Sequence, residues 1–198
     1  MSARPPSPLP AARGWLPALL LALSCCIALP AAAGDGDGDR AKASMQAQAP
    51  KVGELPPDWL GLDRDGRSIR VSQYRGKAVL VVFWAGWCEQ CRRELPLLST
   101  LQTAVGRRRL EIVAINHAES QRAYDAFLQR NPTLDLTFIR DPGTVARYYR
   151  VRAVPNAFLI GGDGRIAHVQ SGYTPEKVER LVRELHALLP PAAPSARD

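Results

Sequence analysis

Two cysteines, with two residues between them, stand in the stretch VVFWAGWCEQCRRELP at residues 81–96. Such a pair can bind a metal, close a small disulfide or exchange electrons with other thiols. A structural zinc site needs four ligands, but the sequence has no second C-x-x-C or H-x-x-H pair and its histidines are scattered. A disulfide across so short a loop removes little entropy from the unfolded chain. Redox exchange is therefore the favoured chemistry, and no cofactor is expected.

The position of the first cysteine suits it for nucleophilic attack. Cys88 follows the apolar run AVLVVFW (78–84), which predicts a buried strand, and it precedes a predicted helix. Free backbone N–H groups and the positive end of the helix dipole would stabilise a thiolate there. Cys91, one turn further along the same face, could resolve the mixed disulfide that Cys88 forms with a partner. The carboxylate of Glu89 opposes thiolate formation, which favours a reductant over a strong oxidant; a solvated acid at the helix start, without this effect, is the alternative.

A regular alternation of strands and helices must position this pair. Two short strands, at 59–62 and 67–71, flank the turn DRDG and predict an antiparallel hairpin. The other strands are predicted at 78–84, 110–116, 136–139, 156–160 and 165–170, the last two as a second hairpin. Helices are predicted from about Cys88 and over 120–131, 141–149 and 174–189. This order indicates an α/β fold, with a mixed sheet flanked by helices on both faces.

The last two of these helices carry start signals. Asp141 is predicted to cap one of them, with Pro142 at its first position. Thr174 and Pro175 are predicted to do the same for the final helix. Both starts follow from a polar cap residue placed directly before a proline.

Both ends of the chain are predicted to be extensions of a central domain at 51–190. Residues 1–33 carry two arginines, then an apolar stretch, then small residues, an order typical of an export signal, with an uncleaved membrane anchor as the alternative. Residues 34–50 predict a flexible linker, and residues 191–198 predict a disordered tail. Removal of the signal would leave the C-x-x-C pair as the only cysteines, in an oxidising compartment.

The net charge of +7 does not point to nucleic acid. The longest basic run, Arg107–Arg109, falls where a loop is predicted, and no aromatic residues are interleaved with it. No nucleic-acid-binding motif accompanies it. We therefore expect no nucleic-acid partner.

Three stretches together carry a family resemblance. VVFWAGWCEQCRRELP resembles the active-site strand and helix of the thioredoxin superfamily, including Trp87 before the first cysteine and the helix-kinking Pro96. RAVPNAFLI resembles the loop whose proline is cis and faces the disulfide, which points to Pro155 with Val154 before it. PPDWLGLDRDGRSIRVSQYRGKAVLVVFWA resembles the extra N-terminal hairpin of the exported TlpA/ResA-like branch. The resemblance covers about 51–190, so these residues are expected to form a thioredoxin-like domain.

The resemblance implies roles for five residues. Cys88 would be the attacking cysteine and Cys91 the resolving one, and the two would form a redox-active disulfide. Trp87, Val154 and Pro155 would line the groove in which a substrate chain docks. We also expect Trp84 and Trp87 to pack beside the pair and limit the access of water, with ordinary core packing as the alternative for Trp84.

One departure from the superfamily concerns proton transfer. Cytoplasmic thioredoxins carry a buried Asp six residues before the first cysteine, whereas this chain has Val82 there. Glu94, three residues after Cys91, would lie on the same helix face and is expected to take over the proton-transfer role, with a solvated helix acid as the alternative. The ResA-like branch has an acidic residue at this position.

The expected function is that of a periplasmic thiol–disulfide oxidoreductase that reduces protein disulfides. The branch implies a membrane-embedded electron donor of the DsbD/CcdA type, and substrates such as the cysteines of apocytochrome c or of a copper site. A thiol peroxidase on the same fold, a general oxidative folding catalyst, and a copper-binding assembly factor are the alternatives. The copper site would use Cys88, Cys91 and a distant histidine such as His168.

Overall fold

A computed structural model describes residues 48–189. The predicted export segment, nearly all of the predicted linker and the predicted tail lie outside these residues. Within 48–189, no helix has the length and apolar character needed to cross a membrane. The elements follow the chain in this order: β1 (Trp59–Leu62), β2 (Ser68–Arg70), a 3₁₀ turn (Val71–Tyr74), β3 (Ala78–Trp84), α1 (Glu89–Val105), β4 (Leu110–His117), α2 (Gln121–Arg130), β5 (Thr137–Asp141), α3 (Thr144–Tyr148), β6 (Asn156–Ile160), β7 (Ile166–Ser171) and α4 (Pro175–Leu188).

Five strands form the central sheet in the order β5-β4-β3-β6-β7. β3, β4 and β5 run parallel, because helices α1 and α2 carry the chain back between them. β6 runs antiparallel to β3, and β7 runs antiparallel to β6. The predicted mixed sheet is confirmed, and β3, which leads to the cysteine pair, is its central strand. Every residue of β3 is buried, as its unbroken apolar sequence predicts.

Helices cover both faces of this sheet. On one face α1, α2 and α4 enclose a core cluster that contains Trp84, Cys88 and Cys91. On the other face α3 and β1 pack around Phe83, whose ring centroid lies 5.4 Å from that of Tyr149. The cysteine pair therefore lies at the edge of the larger helical layer rather than in a separate loop.

The predicted N-terminal hairpin is present as the antiparallel pair β1–β2. Its Gly61 adopts a positive φ of 119°, and a β-carbon added there would lie 2.6 Å from Cγ2 of Ile139. Asp63 forms a further backbone bridge with the same isoleucine. Glycine is thus required where the hairpin approaches β5, because any side chain would separate the two strands.

The start of α3 differs from its prediction. The helix begins at Thr144, so Pro142 is not its first residue, and Gly143 before it has a left-handed φ of 111°. Asp141 is instead the last residue of β5, and its buried carboxylate accepts hydrogen bonds of 2.7–3.0 Å from the backbone N–H groups of residues 144–146. A strand-end carboxylate that reaches over a turn satisfies the same helix N–H groups as an adjacent cap residue does.

Gln102 joins α1 to β4 through its side chain. Its fully buried amide donates from Nε2 to the Leu110 carbonyl at 2.8 Å and accepts at Oε1 from the Ile112 N–H at 2.7 Å. β5 pairs with β4 only from Val113 onward. The side chain of Gln102 therefore forms hydrogen bonds with backbone groups of β4 that β5 does not reach.

We expect Gln102→Ala to lower the free energy of unfolding by about 2–4 kcal/mol, because two buried backbone groups would lose their partners. Chemical denaturation measures this loss, with Gln121→Ala, at an exposed position, as the matched control. Equal stability of the two variants would contradict the bridging role.

Candidate active site

The end of β3 brings Cys88 to the start of α1. In the short loop between them, the Cys88 N–H donates to the Ala85 carbonyl at 3.1 Å. Cys88 is the residue directly before the helix, and its Sγ accepts a hydrogen bond from the Cys91 N–H at 3.1 Å. The sulfur thus lies at the amino end of the helix, where backbone N–H groups and the helix dipole stabilise negative charge.

The two cysteines are joined in a disulfide, with Cα atoms 5.3 Å apart. Cys91 is only 1% exposed, whereas Cys88 is 7% exposed. A partner thiol or disulfide approaching from solvent therefore meets Cys88 first, while Cys91 is screened by the core.

Trp87, the residue before Cys88, has its side chain in solvent. It is 66% exposed, so it packs little against the pair and is not the water-excluding cover that we predicted. The neighbouring Trp84 is fully buried instead, and its ring lies 4.4 Å from that of Phe127 in the cluster that holds both cysteines. An exposed aromatic ring beside a reactive sulfur is available for contact with another protein.

The loop before β6 carries Val154 and Pro155, joined by a cis peptide bond. Pro155 is buried, and the half-buried Val154 packs against the core cluster that contains both cysteines. Two hydrogen bonds fix the end of this loop: the N–H of Gly172, just after β7, donates to the Pro155 carbonyl at 2.8 Å, and Nδ2 of Asn156, the first residue of β6, donates to Oγ of Ser171 in β7 at 2.9 Å. The loop is therefore fixed in place next to the core around the disulfide.

Glu94 follows Cys91 by one turn on the same face of α1 and is only 3% exposed. Its Oε2 atom has no hydrogen-bond partner among the described residues. Burial raises the pKa of this carboxyl from 4.5 to about 7, because the charged form loses its hydration. A carboxyl with such a pKa can both accept and return a proton near neutral pH.

An apolar groove of about 330 Å³ runs between α1 and α4, and Glu94 is the one charged residue among those that line it. Leucines 97 and 101 of α1 and valines 178 and 182 of α4 form much of its wall. These side chains offer the carboxylate no hydrogen bonds, which accounts for the raised pKa of Glu94.

Comparison with known proteins places the chain in a family. Residues 52–169, more than half of the chain, match the AhpC/TSA family. The chain belongs to this family.

Two curated relatives of this AhpC/TSA protein are thiol-disulfide oxidoreductases ResA. The one from Geobacillus kaustophilus (strain HTA426) is 35% identical over 138 residues, which are 68% of this chain and 78% of the relative. The one from Bacillus subtilis (strain 168) is 28% identical over 143 residues, or 72% and 78% of the two chains. A solved structure described as a thiol:disulfide interchange protein DsbE from Chlorobium tepidum matches with a TM-score of 0.65 at 28% identity, covering 71% of this chain and 99% of that chain. The AhpC/TSA protein is thus a thiol–disulfide oxidoreductase with a thioredoxin fold.

The surroundings of Glu89 differ from those assumed in the sequence argument for a reductant. Glu89 Oε1 lies 2.5 Å from Nη2 of Arg93, and both side chains are largely exposed. Solvent and the guanidinium together screen the carboxylate, so its effect on a Cys88 thiolate is smaller than the sequence suggests. Glu89 therefore gives little physical reason to expect a reductant.

Within residues 48–189, this AhpC/TSA protein has no group of three His, Cys, Asp or Glu side chains placed to bind a metal ion. His168, the histidine considered for copper, lies on β7 opposite Leu159 of β6. The described residues therefore give no support to the copper-binding alternative.

The sequence patterns did not single out Glu119, which contacts the loop before Cys88. Its Oε2 accepts hydrogen bonds from the Gly86 N–H at 2.7 Å and from Asn116 Nδ2 at 2.6 Å. Glu119 follows β4, and the carboxyl ends of parallel strands meet at one edge of a sheet. The available sequence signal was the position of Glu119, a polar residue just after the predicted strand that follows the active-site helix.

Proposed function

We propose that this oxidoreductase is exported and reduces disulfides of other proteins through Cys88 and Cys91. The observation that carries the proposal is the modest stabilisation available to a Cys88 thiolate. Among the residues that the structure describes, the Sγ of the disulfide-bonded Cys88 accepts a hydrogen bond from the Cys91 N–H, while the two nearby arginines are engaged elsewhere: Arg92 donates to the Gly86 carbonyl at 2.8 Å and Arg93 pairs with Glu89. A strong oxidant owes its high reduction potential to a well-stabilised thiolate in its reduced form. Because the Cys88 thiolate has few stabilising partners, the disulfide form is favoured, and the protein is expected to act as a reductant.

The reaction begins with the reduced protein. The Cys88 thiolate attacks one sulfur of the target disulfide, which forms a mixed disulfide and releases the first target thiolate. Cys91 then loses its proton and attacks Cys88 Sγ, which releases the second target thiolate and closes the Cys88–Cys91 disulfide. The target gains two electrons, and an external dithiol must return two electrons to the protein for the next cycle.

Glu94 is the proposed acceptor of the Cys91 proton. Cys91 is buried, and the carboxyl one turn away on the same helix face is the neighbouring group whose pKa, about 7, suits a proton transfer near neutrality. A carboxyl with an ordinary pKa would hold the proton too weakly to accept it from a buried thiol.

The target chain is proposed to dock along Trp87, Val154 and Pro155. The exposed ring of Trp87 supplies apolar area next to Cys88, and the fixed loop at Val154 supplies a second contact beside the same core. Two contacts that flank the sulfur would orient an extended target segment for in-line attack.

Export is proposed from residues 1–33, whose order of charged, apolar and small residues is that of a signal or an anchor. In an oxidising compartment a reductant needs a continuing supply of electrons, which a membrane-embedded donor of the DsbD/CcdA type would provide. Apocytochrome c cysteines and copper-site cysteines are the proposed targets, since both must be reduced before they bind their groups.

Redox titration of Cys88–Cys91 tests the reducing function. The full chain is equilibrated with glutathione or dithiothreitol buffers, and the oxidised fraction of the peptide that carries both cysteines is measured by mass spectrometry. We expect a midpoint below about −200 mV. A midpoint between roughly −120 and −180 mV would indicate oxidative folding instead.

A further inference from the structure

Side chains hold Gly86, in the loop between β3 and Cys88, from two sides. Its N–H donates to Oε2 of Glu119 at 2.7 Å, and its carbonyl accepts from Nη1 of Arg92 at 2.8 Å. Both peptide groups of this glycine are thus bonded to charged side chains, which makes these hydrogen bonds stronger than neutral ones. Gly86 is two residues from Cys88, so its position constrains where the sulfur can lie.

The carboxylate of Glu119 lies against the Cα of Gly86. A β-carbon added at residue 86 would lie 3.1 Å from Oε1 and 3.2 Å from Oε2 of Glu119. The φ angle of Gly86 does not require glycine, because it is not in the left-handed region. Glycine at this position therefore serves the close approach of the carboxylate rather than a turn.

Glu119 is itself held by the end of the sheet. The buried Asn116 of β4 donates from Nδ2 to Oε2 at 2.6 Å, and Arg140 donates from Nε to the Glu119 carbonyl at 3.2 Å. The preceding Ala118 has a left-handed φ of 54°, and its N–H donates to the Asp141 carbonyl at 3.1 Å. A non-glycine residue in this region costs on the order of 1 kcal/mol and persists where surrounding contacts enforce it, which is common at functional sites.

From these contacts we propose that Glu119 is a positioning residue for thiol–disulfide exchange, holding Gly86 so that Cys88 Sγ stays over the Cys91 N–H at the amino end of α1. The proposal rests on Cys88 being the attacking cysteine. Glu119 acts through the loop and does not touch the reacting sulfur atoms.

Two substitutions of Glu119 separate the effect of its negative charge from its effect on the position of Gly86. Both donors, Gly86 N–H and Asn116 Nδ2, converge on the single oxygen Oε2, so the amide oxygen of a glutamine can accept both hydrogen bonds. Glu119→Gln and Glu119→Ala remove the same negative charge, but only the alanine variant also releases Gly86. The charged residues of α1, which are Glu89, Arg92, Arg93 and Glu94, and Arg152 in the loop before Pro155 are the same in both variants.

The test is the pH dependence of Cys88 alkylation in the reduced full chain that carries Cys91→Ser. The rate of carboxamidomethylation of the Cys88 peptide is followed by mass spectrometry between pH 5 and 10. We expect the midpoint of Glu119→Ala to lie at least about 0.5 pH unit above that of Glu119→Gln, because the sulfur loses its place at the helix end. Coincident midpoints for the two variants would overturn the proposal.

Gly86→Ala provides a second, independent variant in case Glu119→Ala does not fold. It retains the charge of Glu119 and displaces the carboxylate from the loop, so we expect its midpoint to lie above that of the chain that carries Cys91→Ser alone. An unchanged midpoint would again overturn the positioning role. Alkylation involves no target disulfide, so a protein that failed to reduce disulfides would refute the proposed function and leave this result standing.

Discussion

Cys88→Ser is expected to lower the rate of disulfide reduction by about 10³-fold or more, because it removes the attacking sulfur. Cys91→Ser is expected to leave the first attack intact and to trap the target on Cys88 as a mixed disulfide. The structure gives the physical reason for this asymmetry, since Cys88 is at the helix end and partly accessible while Cys91 is in the core. Reduction of insulin by dithiothreitol, followed by turbidity, measures the rate, and non-reducing gels with mass spectrometry measure the trapped adduct.

The chain offers a matched control for these substitutions. Cys25 and Cys26 lie in the predicted export segment, so replacing both by serine should leave the rate of insulin reduction unchanged. Trapping of the target by Cys88→Ser through the remaining Cys91, with no trapping by Cys91→Ser, would reverse the proposed roles. That outcome would also remove the basis for Glu119 as a positioning residue.

The architecture was predictable because its strands leave strong local signals. The run at 78–84 is apolar at every position, which in a protein of this size means burial on both faces and hence a central strand. Thr174 and Pro175 marked the start of the last helix correctly, because its cap hydrogen bond is made within four residues. Both features are set by residues that are close together in the sequence, so the sequence alone is enough to predict them.

The start of α3 shows where such local signals fail. Asp141 and Pro142 have the spacing of a helix start, yet pairing of β5 with β4 holds Asp141 in the strand, opposite His117. Tertiary pairing therefore outweighed the local preference, and the carboxylate reached the helix over a longer turn. The sequence indicates the capping interaction of Asp141 but not the residue at which the helix begins.

The supports of the active site were the least predictable feature. Gly86 and Glu119 are separated by a whole helix and strand, and the only local sign of Glu119 is that it is a polar residue just after β4. Their contact exists only because β3 and β4 are parallel neighbours, with Trp84 opposite Asn116 at their carboxyl ends. A motif can identify the sulfur atoms, whereas the groups that hold them in place depend on the assembled sheet.

Glu94→Gln is expected to make the protein more stable than the unsubstituted chain above neutral pH, by up to about 3 kcal/mol. The folded protein holds the Glu94 proton more tightly than the unfolded chain, since burial raises the pKa from 4.5 to about 7. With respect to this group, the stability of the unsubstituted protein therefore falls as the pH rises from 4.5 to about 7, and it is constant above that range. Glutamine cannot ionise, so the variant escapes this loss, and the two proteins should be about equally stable near pH 4.

Urea denaturation between pH 4 and 9 measures this divergence, with Glu89→Gln as a control that removes an exposed carboxylate from the same helix. The same Glu94→Gln variant should reduce disulfides more slowly and lose the part of the pH–rate profile centred near pH 7, because the proton of Cys91 has no acceptor. A stability gain without any change in the pH–rate profile would show that the buried carboxyl is a cost to folding with no part in catalysis. Both effects together would mean that the protein retains a destabilising group because the redox step requires it.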